Sequence, residues 1–432
     1  MKPRRRAVDR GRVGSILVRI VRLVTSPSAT IAIARSFGIA NTRVAEAPSL
    51  AGMRTILILR PDGIGDVVMT GPVLRELRRA APLASITLVV SPRSVNFVET
   101  CPYVDKVLTV EIPPPRAAAQ TWWRPLSRRA AAISIVRRHL YRERYDLALV
   151  PRWGVDNHEA SVLAYLSGAT RRVAYSEHVS PHREKRNRGY DRYFTILVHD
   201  RSVKHEVERN LHLLSALHVE ASDHELEAWP SKEDAEFADS AMAFSAGSPA
   251  VAVGPGAGSR RRAWPVERFI EVGQWVIDHG GSLVVLGGAG EDPLGHEVRR
   301  SLGSRVLDLT NKATIRESTA VLKRCEMFCG NDAGPMHLAA AAGIPVVEVS
   351  CHPRAGDALH ANSPTRFGPW GVPHRVVQPD RAEPGCDAGC VQSDPHCILN
   401  VSVDSVMRAM DSLLKEASTG WANAPARARL DE

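Results

Sequence analysis

The sequence predicts an α/β protein built from two doubly wound, parallel-sheet domains. Three observations carry this. Short apolar runs alternate with helical patterns in two separate series, as βαβ units do. Three of those runs end in Gly-rich loops, at 61–66, 254–258 and 287–291. The 432 residues suit two domains of ordinary size, and a hydrophobic content of 44% gives each a core to bury.

Taken in order, the chain opens on a basic stretch. Residues 1–50 hold ten Lys/Arg against two acidic residues, a balance of +8 in a total of +9. The remaining body is nearly neutral, and with aromatics at 5% it lacks a stacking platform. Nucleic acid is therefore not expected as a partner. Ser15 to Val24 is apolar but broken by Arg19 and Arg22, which join Arg12 and Ser15 in one polar stripe at helical spacing. Arginines inside the apolar region argue against a signal peptide. Two readings stay open: an interfacial helix on an anionic membrane, or a disordered basic leader. No apolar run reaches membrane-spanning length. Seven cysteines, an odd number in a long chain, read as thiols of a cytoplasmic protein.

The first domain is expected over 51–245. Thr55 to Leu59 is a strand, followed by the loop Pro61-Asp62-Gly63-Ile64-Gly65-Asp66 and a helix from Val67 to about Ala80. Strands follow at Ile86 to Val90 and Lys106 to Val110. Residues 111–130, with three consecutive prolines, Trp122 and Trp123, read as a loop. The alternation resumes with a helix to about Arg144 and a strand at Asp146 to Val150. A polar loop at 176–192 carries His182, Arg183, Lys185, Arg186 and Arg188; it is either a solvated basic loop or one placed to receive an acidic substrate. Ala243 to Pro249 reads as the linker.

The second domain is expected over 246–432. Ala250 to Val253 is a strand leading into Gly254-Pro255-Gly256-Ala257-Gly258-Ser259-Arg260-Arg261-Arg262-Ala263-Trp264-Pro265. A helix to about His279 follows, then a strand at Leu283 to Leu286 and the turn Gly287-Gly288-Ala289-Gly290-Glu291. The run Met327 to Cys329 leads into Asn331-Asp332-Ala333-Gly334-Pro335-Met336-His337 and a helix. Ile344 to Val349 reads as the next strand, apolar as a parallel strand buried on both faces should be.

The Asn331–His337 stretch carries the most chemistry. A helix start at the carboxyl end of a strand offers free N–H groups and partial positive charge, a site for phosphate. Asp332 and His337 stand beside it to read a nucleotide or sugar. The plainer alternative is a helix capped by Asp332 or Gly334, with a surface histidine. A nicotinamide site is not expected: Gly254, Gly256 and Gly258 have the wrong spacing, and no acid ends the second strand of either half. Arg260, Arg261 and Arg262 suit a diphosphate, or are a solvated turn. Asp66 is either a helix N-cap or a carboxylate placed to take a proton from a hydroxyl nucleophile. Cys386, Cys390, His396 and Cys397 have near-zinc spacing, but the adjacent last pair is awkward for one tetrahedral ion, and no metal is assigned.

Taken together these motifs resemble glycosyltransferase family nine, the ADP-heptose:lipopolysaccharide heptosyltransferases. The resemblance rests on the Gly65-Asp66 loop, Gly256-Ala257-Gly258 with Trp264-Pro265, Gly287-Gly288 with Glu291, Asn331 to His337, and the late Cys-rich stretch, in that order over 54–415. It implies GT-B architecture, two Rossmann-like domains facing a cleft, with donor on the second and acceptor on the first. It implies an inverting transfer with Asp66 as catalytic base. Gly256, Ser259, Arg262, Glu291, Asp332, Ala333, Gly334, Pro335, Met336 and His337 would bind the donor, ADP-heptose in first place, with no cofactor. Arg60, Arg183 and Arg186 are the candidates for an acidic glycolipid acceptor such as lipopolysaccharide core. The expected location is cytoplasmic, peripheral on the inner membrane face through residues 1–50. The sequence departs from the family in having Arg262 where lysine is usual, Ala333 where Ser or Thr is common, and the basic extension. Rival readings are another nucleotide-sugar donor, a nucleotide-sugar epimerase, or a zinc-stabilised binding protein using its basic tail on nucleic acid.

Overall fold

The computed structural model describes residues 24–36, 50–112, 124–245, 247–386 and 392–416. The arginine stripe at Arg12, Arg19 and Arg22, the Trp122-Trp123 pair and Cys390 lie outside the described residues.

Among the described residues two six-stranded sheets form, both wholly parallel. The first contains β1 (Thr55–Arg60), β2 (Ser85–Val90), β3 (Lys106–Thr109), β4 (Leu147–Val150), β5 (Arg171–Tyr175) and β6 (Ile196–Val198), in the order β3-β2-β1-β4-β5-β6. The second contains β7 (Ala250–Gly254), β8 (Ser282–Val285), β9 (Val306–Asp308), β10 (Met327–Asn331), β11 (Val346–Val349) and β12 (His374–Val377), in the order β12-β11-β10-β7-β8-β9. These are one topology used twice. The chain winds outward in one direction, then crosses to wind outward in the other. The crossing leaves a crevice beyond the carboxyl ends of the two middle strands, where open α/β sheets bind ligands. In the first sheet those strands are β1 and β4, and in the second β7 and β10. The loops after β1, β7 and β10 are among those that the sequence singles out.

Local differences from the expectation have physical causes. The expected helix from Val67 to Ala80 is two helices, Ile64–Val68 and Gly71–Ala80. Pro72 has no N–H and its ring would clash with the carbonyl four residues back, so the helix restarts. The polar loop at 176–192 folds into short helical turns. Ser180 accepts a hydrogen bond from the Arg183 N–H at 3.2 Å, with Pro181 in the first turn. The strand expected over 344–349 begins only at Val346, after Pro345, and is not uniformly apolar, since Glu348 sits in it with 1% exposure.

The two halves are packed against each other. Arg366 donates to Glu206 from Nε at 2.9 Å, and both side chains are buried. Such a pair adds little net energy when intact, but losing one partner costs about 3–5 kcal/mol. The His205 ring stacks on Trp370 at 4.5 Å between centroids. Its Nδ1 accepts from the Val207 N–H at 3.2 Å, so Nε2 carries the proton and donates to the Gly368 carbonyl at 3.0 Å. Burial pushes this imidazole down to about 4, which keeps it neutral. The helix Lys232–Met242 precedes the second sheet but lies against its helix Ile315–Leu322. Arg316 reaches Asp234 at 2.8 Å and Arg324 reaches Asp239 at 2.9 Å.

Candidate active site between two helix starts

Asp66 lies in the first turn of the helix Ile64–Val68, whose N-cap is Gly63 without a side-chain cap bond. The N-cap alternative for Asp66 therefore fails. Its Oδ1 accepts instead from Arg60 Nη2 at 2.9 Å, and Arg60 Nε donates to the Asp66 backbone carbonyl at 3.2 Å. Arg60 Nη1 donates to the Pro151 carbonyl just past β4. The guanidinium thus ties the ends of the two middle strands to one carboxylate. Asp66 Oδ2 is 3.9 Å from Arg152 Nη1, and its side chain keeps a quarter of its surface exposed.

Asp62 lies beneath this pair. It accepts from Arg152 and lies 3.1 Å from His158 Nδ1. Burial alone would raise its carboxyl. Arg152, the His158 hydrogen bond and Arg60 outweigh burial and hold it well below the usual carboxylate range.

Two acceptor candidates from the sequence need correction. Arg60 is fully buried and spent on Asp66, so it does not face an acceptor. Arg183, also buried, donates to the carbonyls of Arg152, Trp153, Gly154 and Tyr175. It holds the chain after β4 in place. Arg186 is exposed at the end of its short helix.

On the other side, the helix Gly334–Ala341 begins after β10 with Ala333 as N-cap and Pro335 in its first turn. Neither Asp332 nor Gly334 caps it. Asp332 Oδ2 accepts from Arg262 Nη1 at 3.1 Å. Asn331 fixes the Gly-rich loop to this helix start. Its side-chain amide donates to the carbonyls of Pro255 at 2.8 Å and Gly256 at 3.3 Å, and its oxygen accepts from the Trp264 N–H at 3.0 Å. Ser259 opens the turn Arg260–Arg262 without a cap bond. Glu291 accepts from the Gly288 N–H at 2.7 Å and lies so close to Gly256 that a methyl group there would come within 1.9 Å of its Oε1. Met336 is a core residue with no exposed side chain, so it has nothing but backbone to offer a donor.

His337 is buried, not on the surface as the plain reading had it. Burial pushes its imidazole toward the neutral form, against the pull of Asp332 and Asp66. Its ring rests on Gly65: a Cβ at 65 would lie 2.3 Å from His337 Cδ2. Gly334 in turn faces Ile64, whose Cγ2 would be 2.4 Å from an added Cβ. The two helix starts therefore meet, and Asp66 and the Arg262–Asp332 pair flank their contact.

Two further groups went unnoticed in the sequence. Burial, then the Asp332 carboxylate, push Glu348 well above the usual carboxylate range, which favours its neutral form, and its Oε2 has no hydrogen-bond partner. Its signal was a lone acid inside an apolar run. Arg152 is the other, and nothing in its neighbourhood along the chain marks it. Among the described residues, Cys386, His396 and Cys397 also come together.

The model of Glycosyltransferase family 9 (heptosyltransferase) matches residues 133–384, more than half of the chain. Lipopolysaccharide heptosyltransferase 2 of Salmonella typhimurium is 26% identical over 315 residues, covering 68% of this chain and 81% of that protein. Lipooligosaccharide heptosyltransferase 2 of Haemophilus influenzae is 24% identical over 314 residues, covering 68% and 82%. Among solved structures, a glycosyl transferase family 9 protein of Veillonella parvula superposes with a TM-score of 0.67 at 21% identity, covering 86% of this chain and 99% of that one. The ADP-heptose lps heptosyltransferase II of E. coli gives 0.61 at 20%, covering 84% and 100%. These likenesses share the two-sheet fold described above.

The contact between residues 65 and 337 can be tested by a double-mutant cycle. Gly65→Ala is expected to cost about 1–3 kcal/mol by overpacking, and much less in a His337→Ala background. Additive effects in urea unfolding of the four proteins would mean that the two residues do not touch.

Proposed function

Because the chain belongs to glycosyltransferase family 9, the heptosyltransferase family, we propose that this glycosyltransferase moves a heptose from ADP-heptose to a hydroxyl of a lipopolysaccharide core. The observation that carries the reading is the meeting of the two helix starts at the carboxyl ends of both sheets. The names of the relatives supply the sugar and the acceptor class.

Asp66 is the catalytic base in this proposal. Arg60 holds one of its oxygens, and the carboxylate edge toward the cleft takes the proton of the acceptor hydroxyl. The hydroxyl oxygen attacks the anomeric carbon opposite the diphosphate. As that bond forms, the bond from anomeric carbon to phosphate oxygen breaks, and the configuration inverts. The charge that gathers on the departing diphosphate is met by Arg262 and by the free N–H groups at the start of the helix Gly334–Ala341. Ala333 brings no hydroxyl, so backbone and Arg262 carry the phosphates. Arg262 now pairs with Asp332. A bound diphosphate competes for that guanidinium and frees Asp332 for the hydroxyls of the sugar. Glu291 and Gly256 flank the place proposed for the nucleoside. Arg186 is retained as an acceptor contact.

The enzyme is proposed to work peripherally on the inner membrane face, held by the basic residues 1–50. No helix among the described residues is long and apolar enough to cross a membrane.

Asp66→Asn is expected to abolish transfer while leaving ADP-heptose affinity intact. A variant keeping more than about a tenth of the wild-type kcat would remove Asp66 from the role of base. ADP-heptose is expected to raise the melting temperature of the wild type more than GDP-, UDP- or dTDP-sugars do. Arg262→Ala should weaken that binding by about 1.5–3 kcal/mol, more than tenfold, and Arg262→Lys should recover much of it. Unchanged affinity in Arg262→Ala would put the donor elsewhere. The helix Pro27–Ser36 packs Ile31 and Ala34 into the first domain's core, so the membrane test removes residues 1–22, which hold eight of the ten basic residues. This truncation is expected to spare turnover of a soluble acceptor analogue and to weaken binding to anionic vesicles. Equal vesicle binding by both chains would refute the membrane role.

A further inference from the structure

Asp394 lies beside the turn Arg260–Arg262 of the second domain, paired with Arg260 at 3.4 Å, and the sequence over 379–396 offers almost nothing apolar to bury. Apart from cysteines, Val391 is its one large aliphatic residue, among Asp, Glu, Pro, Gly and Ser. A loop of that composition needs a staple other than a hydrophobic core. Cys386 and Cys397 are not joined in a disulfide. With His396 they bring three ligand atoms together, no two of them more than 4.8 Å apart. Cys386 Sγ is 3.1 Å from His396 Nε2. In a tetrahedral zinc site the corresponding S–S and S–N separations are about 3.5–3.8 Å, from the usual bond lengths. The objection raised by sequence, that His396 and Cys397 are adjacent, is thus removed, since both reach the same point.

The surrounding hydrogen bonds suit ligation. His396 Nδ1 lies 2.8 Å from the Asp394 carbonyl, which can only accept, so the ring proton sits on Nδ1. In the neutral ring, the Nε2 lone pair then faces Cys386. This is the arrangement by which metal-binding histidines are oriented from behind. The backbone N–H of Glu383 donates to Cys397 Sγ at 3.3 Å, a contact that stabilises charge on sulfur. The chain just beyond is pinned to the donor-side domain. Trp264 Nε1 donates to the Val401 carbonyl at 3.0 Å, and Arg268 Nη1 to that of Leu399 at 2.8 Å. Arg260 pairs with Asp394 at 3.4 Å on the surface.

We propose that Cys386, His396 and Cys397 bind a thiophilic transition-metal ion, zinc or iron, which fixes residues 392–401 beside the turn carrying Arg260 to Arg262. Two thiolates and an imidazole are the ligand set these ions share. The ion is structural, and the proposal stands apart from the identity of the donor. Binding releases the thiol protons to solvent and changes no oxidation state.

The test is elemental analysis of the full, untagged chain purified from medium containing both zinc and iron. About one ion per chain is expected in the wild type and under about a tenth in Cys386→Ser/Cys397→Ser. Zinc or iron at that level supports the site and says which ion it takes. Should the double variant fail to fold, thiol titration of the native wild type decides. Two thiols are expected to be silent until a strong chelator is added, and then to react together with a fall in melting temperature. A metal-free wild type, full metal in the double variant, or a Cys386–Cys397 disulfide in the oxidised protein would each overturn the proposal.

Discussion

Two helix starts approach so closely that no methyl group fits between Gly65 and the His337 ring. The rest of the arrangement depends on this contact. It brings the carboxyl ends of β1 and β10 within one crevice, although each belongs to a separate sheet. It also sets two partial positive charges side by side. Anionic groups answer them: Asp66 on one side, Asp332 on the other. Each of these is in turn matched by an arginine, Arg60 and Arg262.

The arginines of the first sheet divide the work by depth. Arg60 and Arg183 are buried and bind carbonyls at the ends of strands, so they shape the crevice floor. Arg152 stands between, bonded to Asp62 and near Asp66. A buried guanidinium is tolerated here because its several N–H groups find carbonyl or carboxylate partners in a fixed fork. The same property misled the reading of basic residues in sequence. Arginine next to polar residues looks like a solvated or ligand-binding loop, whereas Arg183 turned inward because Ser180 and Pro181 started a helix under it.

Strands, their order along the chain and the Gly-rich loops were legible because they depend on local pattern: apolar runs of strand length, then glycine, then helical spacing. The doubly wound fold followed. Less was visible of what depends on partners distant in sequence. The bond from Arg60 to the Pro151 carbonyl, the Arg366–Glu206 pair and the approach of His337 to Gly65 all join residues far apart in the chain, and no spacing rule announces them. Other misses were local and could have been found. Pro72 marks the break after Val68, and Glu348 is an acid in an otherwise apolar strand.

The helix Lys232–Met242 travels with the second sheet, tied to it through Arg316 and Arg324. The stretch just before it belongs to the first: Arg75 binds the Glu225 carbonyl and Thr100 binds that of Trp229. Trp229 itself packs on Phe97. Ser231 already caps the helix. Between the two anchors stands Pro230, whose ring fixes φ. The covalent joint between the halves is accordingly about one residue long, at Pro230 and not at the Ala243 to Pro249 stretch that the sequence suggests. Any widening of the crevice would turn the halves about Pro230, and would also have to release the Arg366–Glu206 pair and the bonds from Arg316 to the Asn96 carbonyl and Glu99.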